Sequence, residues 1–241
     1  MNKNVKSLPK IGYPIFTLKL PSTDKEIKYR PFLVKEEKLL LMAQSSEDPK
    51  EIIGAIKQVI SNCILSEDVS VDELCTFDME YIFIKIRAKS INNVIEVTYR
   101  DLEDDKRYTV EINLDEIEVK KETDHTNKIE INEQLGMVMK YPKTNVANNI
   151  ESVDGETDLF FQILKGCIEK IYDSETVYDI SEYSADELDD FIQQLDVKTF
   201  KKVQDFFATM PRLHYEVKYT NSLGKEKNIV LNNLTDFFTL G

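Results

Sequence analysis

The second half of this chain echoes the first at a spacing of about 120 residues, which limits it to folds built from two related units. Glu96-Val97-x-Tyr99 returns as Glu216-Val217-x-Tyr219, and Val110 with Asn113-Leu114 returns as Val230 with Asn233-Leu234. Lys19-x-Pro21-x-Thr23 matches Lys140-x-Pro142-x-Thr144. Two further echoes stand at other offsets: Gln58 to Cys63-Ile64 with Gln162 to Cys167-Ile168, and Ser70-x-Asp72-Glu73-Leu74 with Ser184-x-Asp186-Glu187-Leu188. The matches keep their order, and their changing offsets imply insertions and deletions in loops, where chains tolerate them best. The competing reading is chance similarity in a sequence rich in Glu, Lys, Ile and Val.

Local patterning predicts the parts of each unit. Residues 15–32 read as a hairpin, with Phe16, Leu18 and Leu20 alternating with polar positions before the turn residues Pro21-Ser-Thr-Asp24. A helix is expected over 35–43. Asp48-Pro49 then supplies an N-cap and a first-turn proline for a helix expected to bury Ile52, Ile53, Ile56, Val59, Ile60 and Cys63. Ser70 with Glu73 and Ser184 with Glu187 both have capping-box spacing. Residues 77–88 suit a helix by length and flanking charge, although Tyr81-Ile-Phe-Ile84 also fits a buried strand. A hairpin is expected from 94–99 and 107–113. In the second unit the pattern gives a strand over 136–141, helices over 157–172, 184–195 and 197–208, and a closing hairpin from 213–220 and 227–231. The expected architecture is α+β, with antiparallel hairpins packed on helical pairs: a first unit over 1–119, a polar linker over 120–135 and a second unit over 136–241.

Composition narrows the function classes. The net charge of −13 repels phosphate backbones, so nucleic acid is not an expected direct partner. From Asp173 to Asp196 there are nine acidic residues and no Lys or Arg, which reads either as a solvated acidic helix or as a docking face for a basic segment. Three dispersed cysteines suit a reducing compartment. The first residues lack a signal-peptide pattern, and no run reaches the roughly 18 apolar residues of a membrane helix, so a soluble intracellular product is expected.

Catalytic chemistry is not evident. His125 beside Asp124 reads as a solvated linker histidine, and His214 as an edge or core residue. Cys63 and Cys167 lie on apolar helix faces, where a thiol is an unreactive small hydrophobe. No zinc-ligand spacing and no glycine-rich phosphate loop is present, so no cofactor or metal is expected. Two places suit partner binding instead. Tyr29, Arg30 and Phe32 leave a hairpin just before a helix, in an aromatic and arginine grouping typical of hot spots. Phe237, Phe238 and Leu240 sit near the end of the sequence as a candidate apolar anchor. Packing at the strand exit and folding back onto the core are the respective structural readings.

The run from Pro14-Ile-Phe through Pro21, Tyr29-Arg-Pro-Phe32 and Leu39 to Met42 resembles the N-terminal signature of a T4-like bacteriophage family of baseplate hub assembly proteins. Phe77-Asp-Met-Glu-Tyr81 to Ser90 and Val138-Met-Lys-Tyr-Pro142 are similar to its next two segments. The resemblance implies a non-enzymatic virion-assembly factor in the host cytoplasm, acting on phage tail or baseplate hub proteins, with the tape-measure protein one candidate. A permanent baseplate subunit is the alternative, and the resemblance brings no catalytic residues with it.

Overall fold

A computed structural model describes residues 11–46, 48–145 and 156–238. The chain begins with the antiparallel hairpin β1 (Phe16–Lys19) and β2 (Glu26–Tyr29), in which Phe16 faces Tyr29 and Leu18 faces Ile27. Helix α1 (Val34–Ser46) follows. Helix α2 (Pro49–Cys63) starts as the sequence predicts: the Asp48 carboxylate accepts from the Lys50 N–H at 2.8 Å, with proline in the first turn. Beyond α2, Ile64 makes a single antiparallel bridge to Tyr29. The Ser70–Glu73 spacing yields only a 3-10 turn, Val71–Glu73, and Ser70 makes no side-chain cap.

Helix α3 (Thr76–Ser90) resolves the ambiguity at Tyr81-Ile-Phe-Ile84. It is apolar on nearly every side because it is shared by two cores: Ile82 and Ile86 enter one, Ile84 and Ala88 the other. The hairpin β3 (Val94–Arg100) and β4 (Arg107–Asn113) completes the first unit.

The segment read as a polar linker, 120–135, begins at the end of one short strand and contains another. β5 (Glu118–Lys120) crosses to the second unit, and β6 (Lys128–Glu130) opens that unit's larger sheet. Each of these three-residue strands turns one apolar residue inward, Val119 or Ile129, so alternation is too short to show in the sequence. β7 (Gly136–Met139) and helix α4 (Glu156–Cys167) come next. The helix expected over 157–172 stops at Cys167, and Ile168–Tyr172 is strand β8, paired with β7. The spacing of Ile168 and Ile171 suits a helix, and pairing with β7 decides for the strand.

β9 (Val177–Asp179) forms the outer edge of the sheet β6-β7-β8-β9. A 3-10 turn at Ile180–Glu182 leads to α5 (Ala185–Gln193), where Ser184 and Glu187 do form a complete capping box. Helix α6 (Val197–Thr209) is followed by β10 (Arg212–Thr220) and β11 (Glu226–Leu231), and the described chain ends in α7 (Leu234–Phe238). β10 is the centre of the sheet β11-β10-β5.

Both units therefore share the order hairpin, helix, 3-10 turn, helix, hairpin, with α1 added in the first and β8, β9 and a second late helix added in the second. At equivalent points the Arg30 N–H donates to the Cys63 carbonyl at 3.0 Å and the Lys140 N–H to the Cys167 carbonyl at 2.7 Å. The echo of Lys19-x-Pro21 in Lys140-x-Pro142 does not follow this order, since 19–23 enters a hairpin turn while 140–144 leaves β7. The 142–144 segment instead docks on the first unit, where Thr144 donates its hydroxyl to the Val71 carbonyl at 2.7 Å. One core fills each unit, and a third lies between them. That third core joins Ile84, Val97 and Ile112 to Leu213, Val217 and Phe237.

Candidate functional site

The aromatic and arginine grouping at the first hairpin's exit is core. Tyr29, Arg30 and Phe32 are 3 %, 4 % and 7 % exposed. Arg30 donates to both carboxylate oxygens of Glu36, at 3.0 and 3.4 Å, and to the Asn62 carbonyl at 2.8 Å. Glu36 also accepts from the Leu33 N–H at 2.9 Å, so one buried carboxylate pairs Arg30 and caps α1. Burial pushes the Glu36 pKa up, but the Arg30 hydrogen bond and the Leu33 N–H outweigh it and hold the group below its ordinary value. Phe237 is also buried, in the third core. Phe238 ends α7 with its side chain outside the description, and Leu240 lies outside the described residues.

Both histidines and the two helix-face cysteines take part in packing or hydrogen bonding. His125, expected to be solvated, is half-buried against Tyr141 and Phe206, with Nδ1 2.9 Å from the Thr209 hydroxyl and Nε2 3.1 Å from that of Tyr141. Burial lowers its pKa. The linker reading failed because these ring partners come from 16 and 84 positions away. His214 lies on β10, 3.0 Å from Glu216. The Cys63 and Cys167 thiols are fully buried and pushed up to about 11 and about 12, which keeps them protonated. Lys85 is buried and donates to the carbonyls of Leu114, Asp115 and Ile117 at 3.1, 2.7 and 2.9 Å, tying α3 to the turn before β5. Among the described residues, no group of three His, Cys, Asp or Glu is placed to hold a metal ion.

Two recesses stand out among the described residues. The first lies at the tips of the β3–β4 and β10–β11 hairpins and is closed by polar contacts between echoed positions. Tyr99 and Tyr219 meet edge-on at 6.2 Å, and Asp101 accepts from the Tyr219 hydroxyl at 2.9 Å and from the Asn221 amide at 3.3 Å. Asp104 accepts from the Ser222 N–H and hydroxyl at 3.0 and 2.8 Å, while Lys225 and Lys227 both pair with Glu103. Burial would raise the Asp104 carboxyl, but its hydrogen bonds with Tyr108 and Ser222 hold it well below the carboxylate range. This recess is a joint between the units.

The second recess, of about 380 Å³, lies in the second unit between the β8–β9 end of the sheet and α5. Leu135, Ile171 and Leu188 form its apolar base, with Tyr178, Tyr183 and Phe191 around them. Asp173 and Glu187 also line it. Tyr178 and Tyr183 stand edge to face at 6.4 Å, and the Tyr178 hydroxyl donates to Asp173 at 2.7 Å. Tyr183 is 42 % exposed. Hydrogen bonds from Tyr178 and from the backbone N–H groups of Glu175 and Thr176 lower the Asp173 pKa, and those from Ser184 lower that of Glu187, so both stay ionised. The acidic run from 173 to 196 was the signal for this place. Its aromatic residues gave no separate indication, because β9 and α5 come together only in the fold.

Elsewhere among the described residues, α1 exposes Val34, Leu41 and Met42. No described helix is long and apolar enough to cross a membrane. No curated protein and no solved structure matches the chain. A family model described as T4 bacteriophage base plate protein matches residues 13–239, spanning both units and the segment between them. The chain belongs to the T4 bacteriophage base plate protein family.

Proposed function

We propose that this chain is a non-enzymatic assembly factor of the baseplate hub, which holds a hub or tape-measure subunit in the host cytoplasm before incorporation. Membership in the base plate family over residues 13–239 carries the reading. The occupied state of both histidines and the buried, protonated thiols support a binding role over turnover. A charge of −13 supports reversible, salt-sensitive association with protein partners, and disfavours nucleic acid. The open cleft on the second unit, of about 380 Å³, has the size of a site for a few side chains of a partner.

A permanent structural subunit is the second reading, and the exposed Val34, Leu41 and Met42 on α1 favour it, because such strips are usually covered in stable assemblies. Quantitative mass spectrometry of mature particles, together with affinity capture from infected cells, separates the two. Absence from particles with hub or tape-measure protein in the capture is the expected result. Stoichiometric presence in particles would replace the assembly factor with the structural subunit.

A further inference from the structure

We infer that the cleft between β8–β9 and α5 is a docking site for a basic peptide segment of a partner, one that inserts an arginine or lysine together with a neighbouring aliphatic side chain. The inference deepens the baseplate-assembly reading and rests on it for the partner's origin. Charge complementarity identifies the occupant. Of the acidic residues in the run, Asp189 is paired with Lys165 at 2.9 Å and Asp179 faces Lys170 across the β8–β9 ladder. Among the described residues, Asp173, Glu175, Glu182, Asp186, Glu187 and Asp190 have no ion pair with a basic side chain. The negative potential at the cleft is therefore left to be met from outside the chain.

The interior of the cleft selects within the basic class. A guanidinium or ammonium group carries an apolar stem, and that stem matches the base formed by Ile171 and Leu188. Tyr178 and Tyr183 line the same recess as Asp173 and Glu187, and aromatic rings beside carboxylates attract a cation. Phosphate groups and acidic peptides are repelled by the same charges. The hairpin-tip recess offers no such place, because Lys225 and Lys227 already neutralise Glu103 there.

The direct test is fluorescence anisotropy of a short labelled peptide of alternating arginine and leucine, titrated with the full chain at physiological salt. The double variant Asp173→Asn/Glu187→Gln removes both lining charges while leaving amide oxygens for the local hydrogen bonds. Tyr183→Ala removes an exposed wall, so loss of folding does not confuse the result. Each is expected to weaken binding by about tenfold or more. Glu26→Gln/Glu111→Gln removes the same charge from exposed positions of the first unit and should change binding by less than about twofold. Equal weakening in both double variants, or none in either cleft variant, overturns the inference. Affinity capture from infected cells then distinguishes the two levels of the argument. Baseplate proteins captured by the wild type and lost by the cleft variants support the site. Their retention by the cleft variants overturns the site and leaves the baseplate reading standing. Their absence from the wild-type capture overturns that reading itself.

Discussion

The two units use one plan and elaborate it differently after the same point. In the first, the chain leaving α2 makes a single bridge to β2, and the added helix α1 is anchored by the buried Arg30–Glu36 pair. In the second, the chain leaving α4 extends into β8 and β9, and α5 closes over the sheet end to form the acidic cleft. The Arg30–Glu36 pair of the first unit is thus turned inward and satisfied, whereas Asp173 and Glu187 of the second line an open cleft. Shared elements carry the packing, and the candidate binding surface lies on an addition. That division is expected where one core plan supports sites grafted onto it.

The largest expected effect would break the first unit's anchor. Glu36→Ala leaves the Arg30 charge buried without its partner and should cost about 3–5 kcal/mol in urea unfolding. A loss below about 1 kcal/mol would show that the pair is dispensable.

Next comes the interface between the units. Glu80 on α3 accepts the Leu234 N–H at 3.4 Å, and burial, opposed by that bond and assisted by Asp236, pushes its pKa up to about 7. A carboxyl raised on folding binds its proton more tightly in the native state. It therefore costs nothing at pH values below its unfolded pKa, and reduces stability progressively as pH rises through about 4.5 to about 7. Glu80→Gln should match the wild type near pH 4 and exceed it at pH 8 by about 3 kcal/mol. Parallel pH–stability curves would refute the assignment.

The equivalent cysteines sharpen the comparison. Cys167→Ser places a hydroxyl in an apolar core and should cost about 1–3 kcal/mol. Cys63→Ser should cost less, because Arg30 already approaches that sulfur at 3.5 Å and can serve a hydroxyl oxygen. Chemical denaturation of the two variants would expose the reverse order at once. Smallest is the difference between the echoed serines. Ser184→Ala removes a working capping box and should lower stability by about 0.5–2 kcal/mol, while Ser70→Ala, with no cap to lose, stays within about 0.5 kcal/mol. Similar losses at both positions, measured by thermal unfolding, would mean that the two turns are more alike than their geometry.

Much of this was legible along the chain wherever the signal was local. The Asp48-Pro49 start of α2, the alternation of β3 and β4, and the Asn221–Gly224 turn with Gly224 at φ +76° all depend on neighbours in sequence. The misreadings share one cause. His125 looked solvated, Ile168–Tyr172 looked helical and 120–135 looked like a linker because each takes its partners from distant segments. The hot-spot reading of Tyr29, Arg30 and Phe32 met the same limit, since composition suits an interface and a core equally well.

By itself, the sequence determined the α+β class, local elements such as α2 and the β3–β4 hairpin, the acidic character of 173–196 and the resemblance to a baseplate family. Those properties rest on periodicity, capping and charge, which act over a few residues. Only the tertiary structure decided which apolar faces met, that α3 serves two cores, and that the acidic run borders an open apolar cleft. The reason is physical. Burial is non-directional and proportional to area, so a sequence specifies that a face must be covered, while the packed chain alone specifies by what and which face stays open.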